Sequence, residues 1–383
     1  MIITVTPNPA IDRTFQLNEL AVGEINRSIA TQVDAGGKGI NISRALQAQG
    51  NATVSVFPAA GNSGIELVNT LKHLGVPTNP VYLDGETRSN ITLVGNAGVT
   101  TKINAPGPVL THDDEAALLK AVRETVDSII AKRSVPDGAV APDGQHITIV
   151  GAGSLPNGTD PNFYVKLAQL GADLGVDVAL DTSGAPLAHA VKAGGFAVVK
   201  PNEAELTELV GQPLKSVGDA VATARSIIKL GTKSVLLSLG ENGALLITSE
   251  TWAWAGGQSL IPTSTVGAGD VTLAGFLAAQ FSYTGQFSDA TQFSETAQSS
   301  GSATLSGSMT PQHRPIAPSP TEHSPEFQAL KTAVAWGRAA VLQPGTAVPT
   351  PKDINLTAVT LIAEPDYSIK LTEVTSLLEM MIT

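Results

Sequence analysis

Short apolar runs rich in β-branched residues alternate with helical segments along most of this chain, and this alternation is its most constraining feature. Runs of this length and composition are typical of central strands that are covered on both faces. Strands that alternate with helices predict an α/β fold, a doubly wound and mostly parallel sheet sandwiched by helices. The predicted strands are 2–6, 53–57, 146–151, 176–181, 196–200, 233–239 and 243–248.

Two stretches interrupt this alternation, because residues 12–33 and 88–104 have β-strand character with no helix between their strands. Four such strands predict a small β-sheet that stands off the main body as a lid over a site. A pair of ordinary surface hairpins is the alternative interpretation.

Composition sets one further segment apart. Of the 47 residues in 282–328, 24 are Ser, Thr, Gly or Pro, which leaves too little apolar surface to offset the entropy of ordering. We therefore expect a low-complexity, disordered insertion there. The domain boundaries that follow are a main domain over 1–356 and a C-terminal extension, 357–383, of unknown role.

The charge balance and the missing cysteines exclude several classes of protein. Lys and Arg total 23 against 34 Asp and Glu, a net charge of −11, which argues against nucleic-acid and anionic-membrane partners. With no cysteine and six scattered histidines, thiolate chemistry is excluded and a zinc site is not expected. The N-terminus lacks a basic lead and a long apolar region, so a cytoplasmic protein is predicted.

The run Ser264-Thr-Val-Gly-Ala-Gly-Asp270 precedes an apolar helical stretch and is the most informative motif. Helix N-termini present unpaired N–H groups and a positive dipole end, so Gly267, Ala268 and Gly269 can stabilise a phosphoryl group in transfer. Asp270 is placed to accept a proton from an attacking hydroxyl. The alternative is a strand-to-helix turn in which Asp270 only complements the helix dipole.

A second glycine run, Ala35-Gly-Gly37-Lys38-Gly-Ile-Asn41, also opens a helix. It is not a Walker A loop, because Gln32 stands where the first glycine is required and Gly39 where Ser or Thr should follow the lysine. Gly37 would allow close approach of a sugar, Lys38 could meet a phosphate, and Asn41 could bind hydroxyls. A flexible turn with a solvated lysine is the competing interpretation.

Three weaker motifs follow predicted strands, where ligands bind in doubly wound sheets. Asp12 ends the run that begins at Thr6 and could bind sugar hydroxyls. Lys200-Pro-Asn202-Glu-Ala-Glu205 offers an amide and a carboxylate to hydrated magnesium. Ser238-Leu-Gly240-Glu-Asn-Gly243 is a tight turn. Each motif also has an ordinary structural interpretation. The run that ends at Asp12 could be a solvated turn, the Lys200 run an acidic helix start, and the Ser238 run a plain hairpin.

Taken together and in this order, the motifs resemble the ribokinase-like (PfkB) family of carbohydrate kinases, from residue 1 to about residue 355. The resemblance implies an enzyme that uses ATP and Mg²⁺ to phosphorylate a sugar hydroxyl, with a monovalent cation as a further candidate cofactor. It implies a catalytic base and anion hole at Asp270, Gly267, Ala268 and Gly269. It implies sugar contacts at Asp12, Gly37, Lys38 and Asn41, and nucleotide or magnesium contacts at Lys200, Asn202, Glu205, Ser238, Gly240 and Gly243, with Glu205 acting through water. The helix at about 333–340 would flank the adenine.

Arg88 indicates which class of sugar would be the acceptor in the reaction that the resemblance implies. It lies in the run Thr87-Arg-Ser-Asn90, where relatives that act on unphosphorylated sugars lack an arginine. Guanidinium binds phosphate in bidentate fashion, so Arg88 beside Lys38 favours an acceptor that already carries a phosphate. The expected reaction is phosphorylation of fructose 1-phosphate at its 6-hydroxyl. Tagatose 6-phosphate and fructose 6-phosphate are alternative acceptors, and a catalytically silent sugar-phosphate sensor is an alternative of another class.

The sequence also predicts binding partners and has one position that departs from the family pattern. The predicted partner is a small sugar phosphate, and the resemblance makes a homodimer through the lid strands a further expectation. Val271 departs from the family pattern, in which a small polar residue often follows the base.

Overall fold

The computed structural model describes residues 1–95, 100–133, 146–292 and 324–380. The strands are β1 (Ile2–Val5), β2 (Ala10–Gln16), β3 (Ala30–Gly36), β4 (Thr53–Ala60), β5 (Thr78–Leu83), β6 (Arg88–Val94), β7 (Thr100–Asn104), β8 (Thr148–Ala152), β9 (Asp177–Asp181), β10 (Val198–Val199), β11 (Ser234–Ser238), β12 (Ala244–Thr248), β13 (Trp252–Gly256) and β14 (Thr360–Ala363). The helices are α1 (Lys38–Ala48), α2 (Gly61–His73), α3 (His112–Arg133), α4 (Phe163–Leu174), α5 (Gly184–Ala193), α6 (Glu203–Val210), α7 (Val217–Ile228), α8 (Ala268–Gln292), α9 (Pro325–Ala340) and α10 (Leu377–Met380).

Ten strands form the central sheet, in the order β14-β13-β12-β11-β10-β9-β8-β1-β4-β5. The strands from β11 to β5 in this order run parallel, whereas β12, β13 and β14 continue the sheet antiparallel. Buried residues of α1, α8 and α9 pack on one face, and those of α3 to α7 pack on the other. The predicted α/β fold is confirmed.

The second sheet is the predicted lid. Its four strands lie in the order β3-β2-β6-β7, with β2 antiparallel to β3 and parallel to β6. Ile11 and Ala35 of this sheet pack with Phe57 and with Leu67 of α2 in a small core of their own. The chain returns from β2 and β3 directly into α1, so the lid is tied to the helix that opens with the glycine-lysine run.

Polar side chains cap the starts of α3, α6 and α7. Asp114 and Thr111 exchange side-chain and backbone hydrogen bonds at the start of α3. Reciprocal capping boxes also begin α6 at Asn202 and α7 at Ser216. Each box satisfies two N–H groups that a helix start otherwise leaves without a partner.

The predicted insertion has different ends in the structure. Helix α8 continues to Gln292, and α9 begins at Pro325 with Ser324 as its N-cap. Both ends of 282–328 therefore belong to helices, which corrects the predicted bounds. Residues 293–323 lie outside the described residues. Within the described part of the chain, no helix is both long and apolar enough to span a bilayer.

The C-terminal segment is built into the main domain. Strand β14 pairs with β13 at the edge of the central sheet, and Leu371 and Val374 are buried in its core. The predicted boundary at 356/357 therefore does not separate two structural units. The Tyr367 ring stacks on Trp252 with 4.5 Å between ring centroids, and the Arg225 guanidinium lies 5.2 Å from the centroid of Trp252.

This aromatic contact predicts that Tyr367→Ala destabilises the fold. The free energy of unfolding should fall by about 1–2 kcal/mol, because the stack on Trp252 and the contact between Arg225 Nη1 and the Tyr367 hydroxyl at 3.5 Å are lost. Denaturant unfolding measures the change. Tyr82→Ala is the control: this tyrosine is 66% exposed and its loss should change the free energy by less than about 0.5 kcal/mol. Equal changes in both variants would show that the stack does not anchor the segment.

Candidate active site

A cleft of about 830 Å³ lies where the strands of the central sheet end and the lid begins. Its position follows the rule that doubly wound sheets bind ligands at the carboxyl ends of their parallel strands. Every site residue predicted from the sequence lines it: Asp12, Gly37, Lys38, Asn41, Arg88, Lys200, Asn202, Glu205, Ser238, Gly240, Gly243, Gly267, Ala268, Gly269 and Asp270. Their common location is observed, whereas their individual roles remain predictions.

Asp270 lies in the first turn of α8, at the bottom of the cleft. Gly267 precedes the helix with a φ of +79°, a conformation that a side chain strongly disfavours. The Asp270 side chain is buried, and its Oδ2 accepts a hydrogen bond of 2.8 Å from Asn41 Nδ2. The turn thus presents a carboxylate that is held by Asn41 of the neighbouring helix α1.

Two lysines and a second aspartate surround this carboxylate. Asp181 ends β9 with no exposed side-chain surface, and its Oδ1 accepts from Lys38 Nζ at 2.7 Å. Its Oδ2 lies 3.0 Å from Lys200 Nζ. The sequence analysis missed Asp181, although it is the last residue of a predicted strand and so lies at the edge where ligands bind. Its carboxylate fixes both ammonium groups beside Asp270.

These charges set the protonation of the site. Burial, together with the charge of Asp181, raises the pKa of Asp270 to about 7, against the opposing effects of Lys38, Asn41 and Lys200. Burial disfavours the charged form of Lys38, but Asp181 and Asp270 outweigh it, so its pKa is raised. Lys38 is therefore cationic and Asp270 is half-protonated near neutral pH, where a general base is most effective.

The backbone of the same turn offers donors to an anion. The first helical hydrogen bond of α8 runs from Val271 N to Gly267 O, so the N–H groups of residues 268–270 precede the intrahelical ladder. A Cβ on Gly269 would come within 3.3 Å of Lys200 Nζ. Glycine therefore leaves room for a ligand between the ammonium and the backbone. Val271, the departure from the family pattern, is buried in the core behind the turn.

On the lid side of the cleft, Asp12 is held by its neighbours in the sheet. Asn90 Nδ2 donates to Asp12 Oδ1 at 2.9 Å. Burial raises the pKa of Asp12, and the hydrogen bond from Asn90 offsets part of this effect. A Cβ on Gly36 would overlap the Asp12 carboxylate, so the glycine run makes space for this side chain as well as for a ligand.

Arg88 lies at the start of β6 and is anchored by three backbone carbonyls. Its Nη2 donates to Asn8 O at 2.9 Å, its Nη1 to Ala105 O at 3.2 Å and its Nε to Pro9 O at 3.4 Å. A guanidinium carries five N–H donors. Two donors, one on each terminal nitrogen, thus remain for a ligand in the cleft.

Two buried amide oxygens on the same side have no partner among the described residues. They belong to Asn8 and Asn90, and both residues line the cleft. Asn8 is only 5% exposed, and a buried acceptor without a donor costs about 1–3 kcal/mol. Hydroxyl groups of a bound sugar would satisfy both oxygens. The sequence analysis did not assign a role to either asparagine.

The opposite end of the cleft has the features of a nucleotide site. Val334, Gly337 and Val341, on and just after α9, form one wall with Leu260, an apolar slot suited to a flat base. Gly337 packs directly on Thr272 Oγ1 of α8, which brings the two helices close together. This wall includes the helix that the resemblance assigns to the adenine.

Polar turns line the rest of this end. Glu205 Oε2 accepts from Asn202 N at 2.9 Å in the capping box of α6, and Glu205 Oε1 lies 4.0 Å from Lys38 Nζ. Asn202 forms a β-bridge with Ser238. Gly240 and Gly243 both have positive φ values, and a Cβ on Gly243 would overlap Ala255 O. In the described ranges, no cluster of three or more acidic or histidine side chains could hold a metal ion.

A family model described as pfkB family carbohydrate kinase matches residues 5–310. The chain belongs to this family. The resemblance seen in the sequence motifs is thereby confirmed, and the chain is a carbohydrate kinase.

Curated pfkB relatives and solved structures agree with this membership. A 1-phosphofructokinase of Xanthomonas campestris pv. campestris is 34% identical over 282 residues, which is 72% of this chain and 83% of the relative. An ATP-dependent 6-phosphofructokinase isozyme 2 of Mycobacterium tuberculosis is 32% identical over 277 residues, 71% of this chain and 76% of the relative. The crystal structure of phosphofructokinase-2 from Escherichia coli in complex with potassium has a TM-score of 0.71 and 27% identity, and the match covers 92% of this chain and 96% of that one.

Proposed function

We propose that this pfkB kinase transfers a phosphoryl group from ATP to the 6-hydroxyl of fructose 1-phosphate. The observation that carries the proposal is the buried Asp270 carboxylate, which is held beside two lysines at the N-terminus of α8. The relative named 1-phosphofructokinase, with 34% identity over most of the chain, supports this choice of acceptor.

In the proposed reaction Asp270 accepts the proton of the acceptor hydroxyl as its oxygen attacks phosphorus. The N–H groups of Ala268 and Gly269 donate to the transferring phosphoryl group, where negative charge is concentrated in the transition state. Asn41 keeps the carboxylate aimed into the cleft through its 2.8 Å hydrogen bond. Each role depends on groups that are in place before the substrates arrive.

The lid side of the cleft is proposed to bind the acceptor. Arg88 has two free donors for the phosphate that the sugar already carries, while Asp12 and the unpartnered oxygens of Asn8 and Asn90 accept from its hydroxyls. Gly37, whose φ is +116°, lets the sugar approach the backbone. These partners would select a phosphorylated acceptor by charge and would bind its hydroxyls.

Lys38 is proposed to act elsewhere than the sequence analysis expected. The sequence hypothesis paired it with Arg88 on one sugar phosphate. In the structure its ammonium contacts Asp181 and lies near Glu205, whereas Arg88 is anchored on the carbonyls of Asn8, Pro9 and Ala105. These separate partners favour a role for Lys38 beside Lys200 at the phosphoryl group in transfer.

ATP and magnesium fit the other end of the cleft. The apolar wall of α9 would take the adenine, and the turns at Asn202 and at Ser238–Gly243 would face the phosphates. Mg²⁺ supplies charge neutralisation for the nucleotide when bound, and it usually keeps several waters and few protein ligands. Glu205, which lines the cleft, is the proposed contact with Mg²⁺ through water.

The raised pKa of Asp270 predicts how activity depends on pH. Because only the ionised carboxylate can accept a proton, kcat/KM for the sugar phosphate should rise about ten-fold per pH unit below pH 7 and level off above it. Initial rates between pH 5.5 and 8.5 with saturating MgATP measure the profile. A rate that is constant across this range would contradict a base with a pKa near 7.

An acceptor panel tests the proposed substrate. ATP consumption is measured with fructose 1-phosphate, fructose 6-phosphate, tagatose 6-phosphate and unphosphorylated fructose, and we expect the highest kcat/KM with fructose 1-phosphate. The 32% identity to a 6-phosphofructokinase makes fructose 6-phosphate the second candidate. If sugar phosphates bind but none stimulates ATP consumption, the chain is a sensor on a kinase fold.

The lid surface supports a homodimer as part of this proposal. Ile29 and Val33 on or beside β3 and Ile103 on β7 are 57%, 43% and 54% exposed, and apolar residues grouped on one surface mark interaction sites. The partner is a second copy of this chain, and the oligomeric mass in solution tests it. A monovalent cation requirement and a cytoplasmic location also remain predictions.

A further inference from the structure

Arg44 has no role in the reaction proposed above, yet it contacts both the lid and the asparagine that holds Asp270. It lies on α1, three residues after Asn41 and therefore on the same face of the helix. Its side chain is 7% exposed. Nη1 donates to Ala35 O at 2.8 Å and to Asn41 Oδ1 at 3.4 Å. A guanidinium this deeply buried is not a solvated surface charge.

The contact with Asn41 determines which way its amide points. Asn41 Nδ2 donates to Asp270 Oδ2 while Asn41 Oδ1 faces Arg44. A guanidinium can only donate and an ionised carboxylate can only accept. Rotating the amide by half a turn would therefore bring oxygen against the carboxylate and N–H against the guanidinium. Arg44 thus stabilises the one orientation in which Asn41 donates to the base.

The second terminal nitrogen of Arg44 lies near the lid. Nη2 lies 3.8 Å from Asp34 Oδ1 on β3, and Asp34 stands directly opposite Asp12 in the register of β2 and β3. Burial lowers the pKa of Arg44, and the charges of Asp34 and Asp12 oppose this effect. One cation therefore links the carboxylates of the lid to the amide that contacts Asp270.

We propose that Arg44 is a positioning residue, which fixes the Asn41 amide on Asp270 and ties this contact to the lid strand that carries Asp34. The inference rests on the proposed role of Asp270 as the base. Arg44 itself contacts no substrate in this proposal. Its loss should therefore change turnover and the protonation of the base more than the affinity for ATP.

The test is the pH profile of kcat for Arg44→Met and Arg44→Lys in the full-length enzyme. With Arg44→Met we expect kcat to be about ten-fold lower and the KM for ATP to stay within two-fold of the parent. We also expect the acid limb of the profile, the range in which kcat falls as the pH decreases, to shift to higher pH. The shift is upward because the amide that stabilises the ionised base is no longer fixed. The other charged groups that face Asp270, namely Asp181, Lys38 and Lys200, are unchanged. Arg44→Lys keeps the charge and should recover part of both effects.

A double-mutant cycle and a matched control separate positioning from stability. In an Asn41→Leu background, Arg44→Met should move the acid limb no further, because both changes remove one contact. Arg13→Met is the control: Arg13 also joins the lid to a helix, through Glu66 of α2 at 2.6 Å, and it does not touch Asn41. It should lower thermal stability and leave the acid limb in place.

Three results would overturn the inference. If Arg44→Met and Arg44→Lys lose stability but keep the parent's kcat and acid limb, Arg44 is a structural residue. An acid limb that moves further in the double variant than in Asn41→Leu alone would mean that Arg44 does not act through Asn41. An acid limb missing from the parent, with turnover retained in Asp270→Asn, would instead remove the base itself and the proposed mechanism with it.

Discussion

Replacing Asp270 by asparagine should lower turnover roughly 10²–10⁴-fold, the range expected for loss of a general base. The change is nearly isosteric, so ATP and the sugar phosphate should bind almost as before. The environment of Asp270 sets this expectation: the carboxylate is buried, Asn41 donates to it, and Lys38 and Lys200 stand nearby. Single-turnover kinetics together with equilibrium binding of both substrates measure the two effects separately.

Asp219→Asn is the matched control for this experiment. Asp219 also lies in the first turn of a helix, where it completes the capping box of α7 outside the cleft. An aspartate that only complements a helix dipole stabilises its helix by about 0.3–1 kcal/mol, so Asp219→Asn should lower stability and leave turnover unchanged. If Asp270→Asn retains turnover within ten-fold of the parent, Asp270 is such a dipole partner and the proposed mechanism is wrong.

The motifs that identify the site are predictable because each lies in a continuous stretch of chain. The glycine run at 36–39 and the turn at 267–269 need glycine for a local reason, namely positive φ at Gly37 and Gly267. The motifs that begin at Thr6, Lys200 and Ser238 lie at the ends of β1, β10 and β11, which run parallel and share one carboxyl edge of the central sheet. Local sequence therefore predicts the residues of every motif and the common sheet edge of these three, whereas only the fold brings the two glycine runs to the same cleft.

Contacts between distant parts of the chain are not predictable in this way. Asp181 is 143 residues from Lys38 in the sequence, so only the folded sheet brings the two together. Likewise, the three carbonyls that anchor Arg88 come from two separate loops. The sequence analysis expected a guanidinium free to bind a ligand, whereas the structure shows one that also supports the backbone of the cleft.

The strands that the sequence analysis missed lie at or near the two ends of the central sheet. Strand β5 includes Pro80, which is tolerated because β5 is an edge strand of the sheet formed by the described residues. Strand β13 alternates Trp with Ala, so it lacks the β-branched run typical of the centre. Their pairing depends on the core beneath them, in which Trp254 is fully buried.

Replacing Arg88 by alanine should discriminate between phosphorylated and unphosphorylated acceptors. Loss of a charge-assisted contact costs about 1.5–3 kcal/mol, so kcat/KM for fructose 1-phosphate should fall roughly ten- to hundred-fold. Unphosphorylated fructose never made this contact, and its poor reaction should change only as far as the backbone near Asn8 and Pro9 relaxes. The ratio of the two kcat/KM values removes that shared effect, which matters because Arg88 also holds these carbonyls.

Two further variants test whether a change in this ratio of kcat/KM values is specific to Arg88. Lys102→Ala removes a cation from an exposed position on β7 of the same lid, so it measures any general effect of lid charge on an anionic acceptor and should leave the ratio unchanged. Lys38→Ala should lower kcat with both acceptors and leave the ratio near that of the parent, because Asp181 and Glu205 hold Lys38 beside the base. A ratio that falls equally in the Arg88 and Lys38 variants would restore the hypothesis that both cations bind one phosphate. If Arg88→Ala leaves the ratio unmoved, the arginine only supports the backbone, and the case for a phosphorylated acceptor loses its structural basis.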